Sequence, residues 1–389
     1  MPRKIRILFA IGSMGGGGAE RQVLQIMKGL DREQFEPVLY LIHHTGELLE
    51  EVPTDVPLHV FWERHQGMGL KFPGRIPWTQ RRDLIQVMRE ERIDLVYSRC
   101  YLMNLLVSPA ATSIGIPHIA AVAVDPEPEL KLYRRIRQPW ALKWYWRHAR
   151  RAYQQANVVL TNSNGLRERV LDYFTLSESH VRMIYNLFDV DLIDQRATEP
   201  GPSWNGDHFS IVTVARLHAQ KGHYYLILAM HWLIYHRGLK QLRLHLVGEG
   251  QEEGHLRQLV HRLELDDYVT FAGLKKNPLP MVKQAQLFCL PSLYEGMPNA
   301  LVEAILCRTP VVSTDCPSGP MEILEEGKWG DLVSPSSYAQ LASVIERVVK
   351  QDPESNDKLE AARQSMIDRF NHHQGLSQLE DLFRELMAG

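Results

Sequence analysis

The chain has 389 residues, of which 44% are hydrophobic and 23% charged, with a formal net charge of −2. This length exceeds what one hydrophobic core usually serves, so two domains are expected. The near-zero charge excludes a protein that binds nucleic acid through a globally basic surface, and any polyanion site must be local. The four cysteines have neither zinc-site nor disulfide-framework spacing, which favours a reducing cytoplasm.

Short apolar runs alternate with amphipathic helical stretches in the first half of the chain. This alternation predicts a parallel sheet with helices on both faces. The first run is too short for a secretory signal, and prolines and a glycine divide the uncharged stretch Cys100–Val124, so no transmembrane segment is expected. The predicted strands are Ile5–Ile11, Phe35–Ile42, Ile93–Tyr97, Pro117–Val122 and Val158–Thr161.

A glycine-rich loop, GSMGGGGAERQ at Gly12–Gln22, follows the first predicted strand. Its spacing does not match the G-x-G-x-x-G dinucleotide fingerprint, and no acid ends the second strand, so a dehydrogenase is disfavoured. Two interpretations carry equal weight. The loop is either a tight strand-to-helix turn or an anion site at the helix start, built from Gly17, Gly18 and Arg21.

The alternating pattern stops at 196–208, a segment rich in proline, glycine and polar residues that is typical of a linker. We therefore predict an N-terminal domain at 1–195, a C-terminal domain at 209–370, and a helix at 371–389 that can return to the N-terminal domain. The fold class is α/β, with two Rossmann-like domains facing each other across a cleft. Strands of the second domain are predicted at Phe209–Ala215, Leu242–Val247, Tyr268–Ala272, Leu287–Leu290 and Pro310–Thr314.

Two cations follow the first strand of the second domain. The segment VARLHAQKGH places Arg216 and Lys221 on this loop, at the carboxyl edge where open α/β sheets bind ligands. Two cations on one such loop can bind a diphosphate. For an isolated arginine, a solvated basic loop would be the better interpretation.

The stretch PSLYEGMPNALVEA strengthens the diphosphate hypothesis. It follows the strand Leu287–Leu290 and leads into a helix. Because Pro298 suits a first helical turn, the backbone N–H groups near the helix start can point at phosphate oxygens. Glu303 is suited to ribose hydroxyls and Glu295 to those of a sugar, although either residue alone could be structural. The helix-start residues are Gly296, Met297, Pro298, Asn299 and Ala300.

Two further segments end at the same predicted edge. In LVGEGQ, Gly248 would let a nucleotide lie close to the backbone. In VTFAGL, Leu274 follows a glycine and could border the base.

Together these motifs resemble the family 4 retaining glycosyltransferases, which have the two-domain GT-B fold. The resemblance runs nearly end to end and includes members that build bacterial surface polysaccharides and glycan precursors. It rests on the glycine loop ending at Gly17–Arg21, on VARLHAQKGH and LVGEGQ, on the E-x7-E pair Glu295 and Glu303, and on VVSTDCPSGPMEIL at Val311–Leu324.

The resemblance implies that the second domain binds a sugar nucleotide. Arg216 and Lys221 would neutralise the leaving diphosphate, Glu303 would hold the ribose, and Glu295 would contact the donor sugar, so these two cations and Glu295 are the expected catalytic residues. The family often has a histidine or arginine after the strand Pro117–Val122, where this chain has Ala123. Asp125 is the nearest polar candidate on the acceptor side.

The resemblance does not imply a metal or another cofactor. Asp189 and Asp191 have the D-x-D spacing that holds Mn or Mg in the other large glycosyltransferase fold. Here the segment containing Asn186 and Asp189 resembles the hinge of the family, so we expect it to be structural.

A basic and aromatic segment, Lys131–Arg151, contains no acid. Such a composition suits an anionic membrane surface and would place the first domain beside a lipid-linked acceptor. Alternatively, the aromatic residues belong to the core and the cations to a solvated face; a nucleic-acid site is the weakest option.

The expected function is transfer of a hexose or N-acetylhexosamine from a nucleoside diphosphate sugar, with UDP as the favoured nucleotide, to a glycan that is expected to be lipid-linked. The expected location is cytoplasmic, at the inner face of the membrane. Two alternatives stay open: a sugar-nucleotide epimerase of GT-B fold, and a non-catalytic scaffold that binds nucleotide sugars. The donor sugar, the acceptor position and the oligomeric state cannot be predicted from the sequence.

Overall fold

The computed structural model describes residues 3–66, 74–128, 139–201, 204, 208–351 and 355–388. It divides into two compact units, one formed by Met1–Leu187 with His373–Gly389 and the other by Phe188–His372. The chain passes from the first unit to the second at Leu187–Phe188, ahead of the segment 196–208 that its composition marks as a linker. A helix at Val190–Ala197 already belongs to the second unit.

The first unit contains seven strands, all paired in parallel. They are β1 (Ile5–Ile11), β2 (Phe35–Leu41), β3 (Leu58–Val60), β4 (Leu95–Arg99), β5 (His118–Val122), β6 (Val158–Thr161) and β7 (Val181–Met183). Their order in the sheet is β3-β2-β1-β4-β5-β6-β7. The five predicted strands are confirmed, while the three-residue edge strands β3 and β7 were not predicted.

Helices cover both faces of this sheet. Alternate residues of β1 face different cores: Phe9 joins the core beneath the first helix, and Leu8 joins the core on the opposite face. Burial on both faces explains why the strand is a continuous apolar run. The helices are α1 (Gly18–Gly29), α2 (Phe61–Arg64), α3 (Arg75–Glu90), α4 (Tyr101–Ser113), α5 (Pro139–Gln155) and α6 (Asn164–Phe174), with short 3-10 helices at Glu47–Glu51 and Glu178–His180.

The C-terminal helix, His372–Ala388, packs on the first unit. Its side chains at helical spacing are buried in the same core as β1 and α1, and the Phe383 ring lies edge-on to Phe35 with ring centroids 5.8 Å apart. The buried residues of this helix are Leu376, Leu379, Leu382 and Phe383.

The second unit contains six parallel strands in the order β10-β9-β8-β11-β12-β13. They are β8 (Phe209–Val214), β9 (Leu242–Val247), β10 (Val269–Gly273), β11 (Leu287–Leu290), β12 (Val311–Thr314) and β13 (Asp331–Val333). The helices are α7 (Val190–Ala197), α8 (His223–His231), α9 (Glu253–Arg262), α10 (Leu279–Gln284), α11 (Asn299–Leu306), α12 (Pro320–Ile323), α13 (Tyr338–Lys350) and α14 (Asn356–Arg369), with a 3-10 turn at Ala219–Lys221 and a π-helical turn at Trp232–His236. The five strands predicted here are also confirmed.

His118 begins β5 and lies inside a buried polar network, away from the carboxyl edge of the sheet. Its Nε2 is 2.7 Å from Ser98 Oγ and its Nδ1 is 3.1 Å from Ser108 Oγ. Because Ser98 Oγ donates to Asn104 Oδ1, it accepts a hydrogen bond from the N–H at Nε2. Burial lowers the pKa of His118 to about 3.

This low pKa predicts a loss of stability in mild acid. In the unfolded chain the histidine pKa is about 6.5, so below that pH the unfolded state binds a proton that the folded state excludes. The contribution of neutral His118 to the free energy of unfolding is complete above pH 6.5. It falls by about 1.4 kcal/mol per pH unit toward pH 3. Between pH 7.5 and pH 5, the unfolding free energy measured in urea should fall less for His118→Gln than for the wild type. Equal losses in the two proteins would contradict the assignment.

Candidate active site

The carboxyl edge of the second sheet brings two of the predicted site residues together. From the central strand β8 the chain proceeds to β9 and β10 on one side, and then to β11 on the other. The loops that follow β8 and β11 therefore flank a topological switch point, where open α/β sheets bind ligands. These loops carry Lys221 and Glu295.

Lys221 and Glu295 form a largely buried ion pair. The Lys221 Nζ donates to Glu295 Oε1 over 2.5 Å, and the two side chains are 15% and 5% exposed. Ser292 Oγ donates to the same oxygen over 2.6 Å. Both of these contacts are made to Oε1. Each charge offsets the burial of the other, and a ligand diphosphate would compete with Glu295 for the ammonium.

Hydrogen bonds and close backbone packing fix the two loops relative to each other. Leu293 N–H donates to Gln220 O over 2.7 Å, and Gln220 Nε2 donates to Tyr294 O over 2.9 Å. Gly222 has φ +65°, and a Cβ at this position would lie 1.9 Å from Pro291 O. The loops thus form one structural element that fixes the distance between Lys221 and Glu295.

The loop after β12 supports the same element. Thr314 Oγ1 donates to Ser292 O, and a Cβ on Gly319 would lie 2.6 Å from Gly296 O. Ser292, Gln220 and Thr314 were not singled out from the sequence. Ser292 could have been, because it precedes Glu295 by three residues in the same short loop.

The predicted helix start is close to the observed one. Helix α11 begins at Asn299, and Pro298 is the residue before it, with φ −75° and ψ 102°. Pro298 therefore precedes the first turn instead of lying in it. The segment from Gly296 to Ala300 contains this helix start, where an anion is favoured. Glu303 is half-buried in the middle of α11.

Gly248 approaches the protein backbone itself. It has φ +137°, and a Cβ here would lie 2.1 Å from Ala215 O, immediately before Arg216. Leu217 N–H donates to Glu249 O over 2.9 Å, so the loop after β9 is joined to the loop that carries Arg216. This close packing explains the glycine, for which we expected nucleotide contact. Leu274 is 41% exposed at the end of β10.

In the first unit, the carboxylate of Glu20 lies against the glycine loop. Gly17 precedes α1, and a Cβ on Gly17 would lie 2.5 Å from Glu20 Oε2. Arg21 Nε donates back to Gly16 O over 3.2 Å. Gly18 is the first residue of α1. An anion at this helix start would compete with the Glu20 carboxylate.

Asp125, the nearest polar candidate on the acceptor side, is fully buried. Its carboxylate forms an ion pair with Arg169 on α6 and accepts from Glu127 N–H over 3.1 Å. Burial raises the pKa of Asp125, and the hydrogen bonds and Arg169 counteract this rise. Arg169 also lies over the Tyr173 ring. These contacts tie the loop after β5 to α6.

The basic and aromatic segment is only partly described. Lys131–Gln138, and the side chains of Trp140 and Trp144, lie outside the described residues. Trp146 packs against Tyr173 and Phe174, with ring centroids 5.4 and 5.9 Å apart. This aromatic residue belongs to the core, as the alternative interpretation expected, whereas Arg147 and Arg150 are exposed.

Asp189 has a structural contact. Its side chain accepts from Leu192 N–H over 3.0 Å and caps α7. Within the described ranges, no group of three or more His, Cys, Asp or Glu residues could hold a metal ion. In the same ranges, no helix is long and apolar enough to span a bilayer.

Two protein-family models match the chain. Glycosyltransferase Family 4 matches residues 16–192, and Glycosyl transferases group 1 matches residues 208–351. The two matches include every strand of the second sheet and every strand of the first sheet except β1. The chain belongs to the family 4, group 1 glycosyltransferases.

Relatives and solved structures agree with this assignment. An N-acetylgalactosamine-N,N'-diacetylbacillosaminyl-diphospho-undecaprenol 4-alpha-N-acetylgalactosaminyltransferase from Campylobacter jejuni is 30% identical over 51% of this chain and 53% of its own length. An uncharacterized glycosyltransferase of Methanocaldococcus jannaschii is 28% identical over 44% of this chain and 43% of its own. The chain thus spans about half the length of these curated relatives. Anabaena HepE in complex with UDP and glucose has a TM-score of 0.80 at 22% identity, covering 98% of this chain and 99% of that structure. This likeness shows the GT-B fold.

Proposed function

We propose that the protein transfers a hexose or N-acetylhexosamine from a UDP-sugar to a glycan acceptor, with retention of the anomeric configuration. The observation that carries the proposal is the Lys221–Glu295 pair at the switch point of the second sheet. It places a cation for a diphosphate beside a carboxylate for sugar hydroxyls. The solved structures of HepE with UDP support UDP as the nucleotide.

In this mechanism the protein acts mainly through electrostatics. Arg216 and Lys221 stabilise the negative charge that develops on the leaving diphosphate. Glu295, oriented through Oε1 by Lys221 and Ser292, accepts a hydrogen bond from the donor sugar at Oε2. The N–H groups at the start of α11 face phosphate oxygens, and Glu303 holds the ribose. The proposal requires no metal and no other cofactor.

The proposed acceptor is a glycan linked to a lipid at the inner face of the membrane. The name of the Campylobacter relative, a diphospho-undecaprenol sugar transferase, supports a lipid-linked acceptor. The exposed arginines of α5, including Arg147 and Arg150, support contact with an anionic surface. The proposed location is therefore cytoplasmic and peripheral to the membrane.

A thermal-shift panel tests the donor site. UDP, GDP, ADP, dTDP and CMP are compared, and UDP alone should raise the unfolding temperature. A ligand at ~100 times its dissociation constant stabilises the folded state by about 2.7 kcal/mol. The shift should be lost in Lys221→Met and kept in Lys350→Met, which changes an exposed lysine on α13. Absence of a shift with all five nucleotides would contradict the proposed donor site. Sugar transfer that requires added acceptor would exclude the epimerase.

A further inference from the structure

Arg99 differs from the other buried charged residues of the described structure. It ends β4 and is 5% exposed. The remaining buried Asp, Glu, Lys and Arg residues each contact an opposite charge, since burial of an isolated charge is costly. These pairs are Asp83 with Arg64, Asp125 with Arg169, Glu295 with Lys221, and Arg363 with Asp194.

The contacts of Arg99 are all with neutral groups. Its Nη1 donates to Tyr97 Oη over 3.1 Å, and its Nη2 donates to Asn186 Oδ1 over 2.9 Å. Its Nε is buried without a partner, and no acidic side chain among the described residues forms an ion pair with it. Neutral acceptors satisfy hydrogen bonds but supply no counter-charge. Within the described part of the chain, Arg99 therefore has no acidic partner to balance its charge.

Arg99 lies at the switch point of the first sheet. Strand β1 has β2 and β3 on one side and β4 on the other, so the carboxyl ends of β1 and β4 flank the place where such a sheet binds ligands. Helix α4 begins at Tyr101, two residues after Arg99. A helix N-terminus disfavours a nearby cation and favours an anion. Both the location and the local field thus favour an anionic partner.

We propose that Arg99 binds an anionic group of the acceptor substrate, either a phosphate of its lipid linker or the carboxylate of an acidic sugar. The role of the first unit in binding the acceptor rests on the proposed function. A guanidinium has five N–H groups, and the contacts to Tyr97 and Asn186 use two of them. The remaining N–H groups suit the oxygens of phosphate or carboxylate, and the anion supplies the missing counter-charge.

Calorimetric titration with three soluble probes tests the proposal. Geranyl diphosphate represents the lipid linker, methyl glucuronide represents an acidic sugar, and methyl glucoside is the neutral control. Each probe is titrated into the wild type, Arg99→Gln and Arg99→Lys. The matched control is Arg363→Gln, because Arg363 is equally buried but paired with Asp194.

One anionic probe should bind the wild type and bind Arg99→Gln about tenfold more weakly or worse, as expected for a lost charge-assisted hydrogen bond. Arg99→Lys should recover part of the affinity, and Arg363→Gln should keep all of it. Without ligand, Arg99→Gln should be at least as resistant to urea as the wild type. The probe that binds identifies the source of the anion.

Equal affinity in the wild type and Arg99→Gln would overturn the proposal, and so would the absence of binding by both anions. A UDP titration of the same samples separates this result from failure of the proposed function. If UDP binds and the anion binds equally well without Arg99, only the proposed role of Arg99 is wrong. Arg99-dependent anion binding without UDP binding keeps the anion site and removes the proposed donor.

Discussion

Lys221→Met is expected to lower the turnover number by about 100-fold to 1000-fold, the typical effect of removing a group that stabilises developing negative charge. The same change leaves the carboxylate of Glu295 buried without its counter-ion, although Ser292 still donates to it. Breaking a buried pair in this way costs about 3–5 kcal/mol of folding stability. The single variant therefore loses both activity and stability, and activity alone does not define the role of the lysine.

The double variant Lys221→Met with Glu295→Gln separates the two effects. Removing both charges should restore most of the unfolding free energy measured in urea, while turnover stays low. Lys350→Met is the control, because the ion pair of Lys350 with Glu346 lies outside the site and is screened by solvent. If the single variant keeps turnover within about threefold of wild type, a smaller effect than loss of an electrostatic contact allows, Lys221 has no part in the mechanism.

Gly222→Ala is expected to damage the site without changing a polar group. Gly222 has a left-handed backbone conformation, and an alanine Cβ at this position would lie 1.9 Å from Pro291 O. This clash would push the loops after β8 and β11 apart. We expect a stability loss on the order of 3 kcal/mol. We also expect turnover to fall by about 100-fold, because a shift of ~1 Å in catalytic groups has this effect. Calorimetric unfolding and sugar-transfer kinetics on the same preparation measure both.

Gly254→Ala is the matched control for this substitution. Gly254 lies in α9, and a Cβ at this position would point into open space beyond the backbone of its own helix. Alanine should raise the stability by about 0.5–1 kcal/mol, because it lowers the conformational freedom lost on folding. Equal behaviour of the two alanine variants would show that the contact between Gly222 and Pro291 does not constrain the site.

The sequence pattern predicted the sheets better than it predicted the pairing of side chains. Buried parallel strands are continuous apolar runs, so the longer strands were recognisable. The strands β3, β7 and β13 have three residues each, too few for a periodic signal. The contact between Lys221 and Glu295 joins residues 74 positions apart. It depends on the adjacency of β8 and β11, which local patterns do not specify.

The first unit shows the same limit. Asp125 was recognisable as a polar residue after a strand, but its burial depends on Arg169, which comes from a later helix. The composition of 196–208 suggested a boundary, whereas the contacts of α7 place Val190–Ala197 in the second unit. Composition reports local polarity, while a domain boundary is set by which core the neighbouring helices complete.

The return of the C-terminal helix to the first unit affects folding during synthesis. Domains of growing chains generally fold in sequence order, from the N-terminus onward. Here the core containing Phe35 needs Leu382 and Phe383, which leave the ribosome after the whole of Phe188–His372. The later-synthesised, contiguous unit can therefore complete its core first. Until the C-terminal helix emerges, the N-terminal unit exposes apolar surface to which a chaperone could bind in place of that helix.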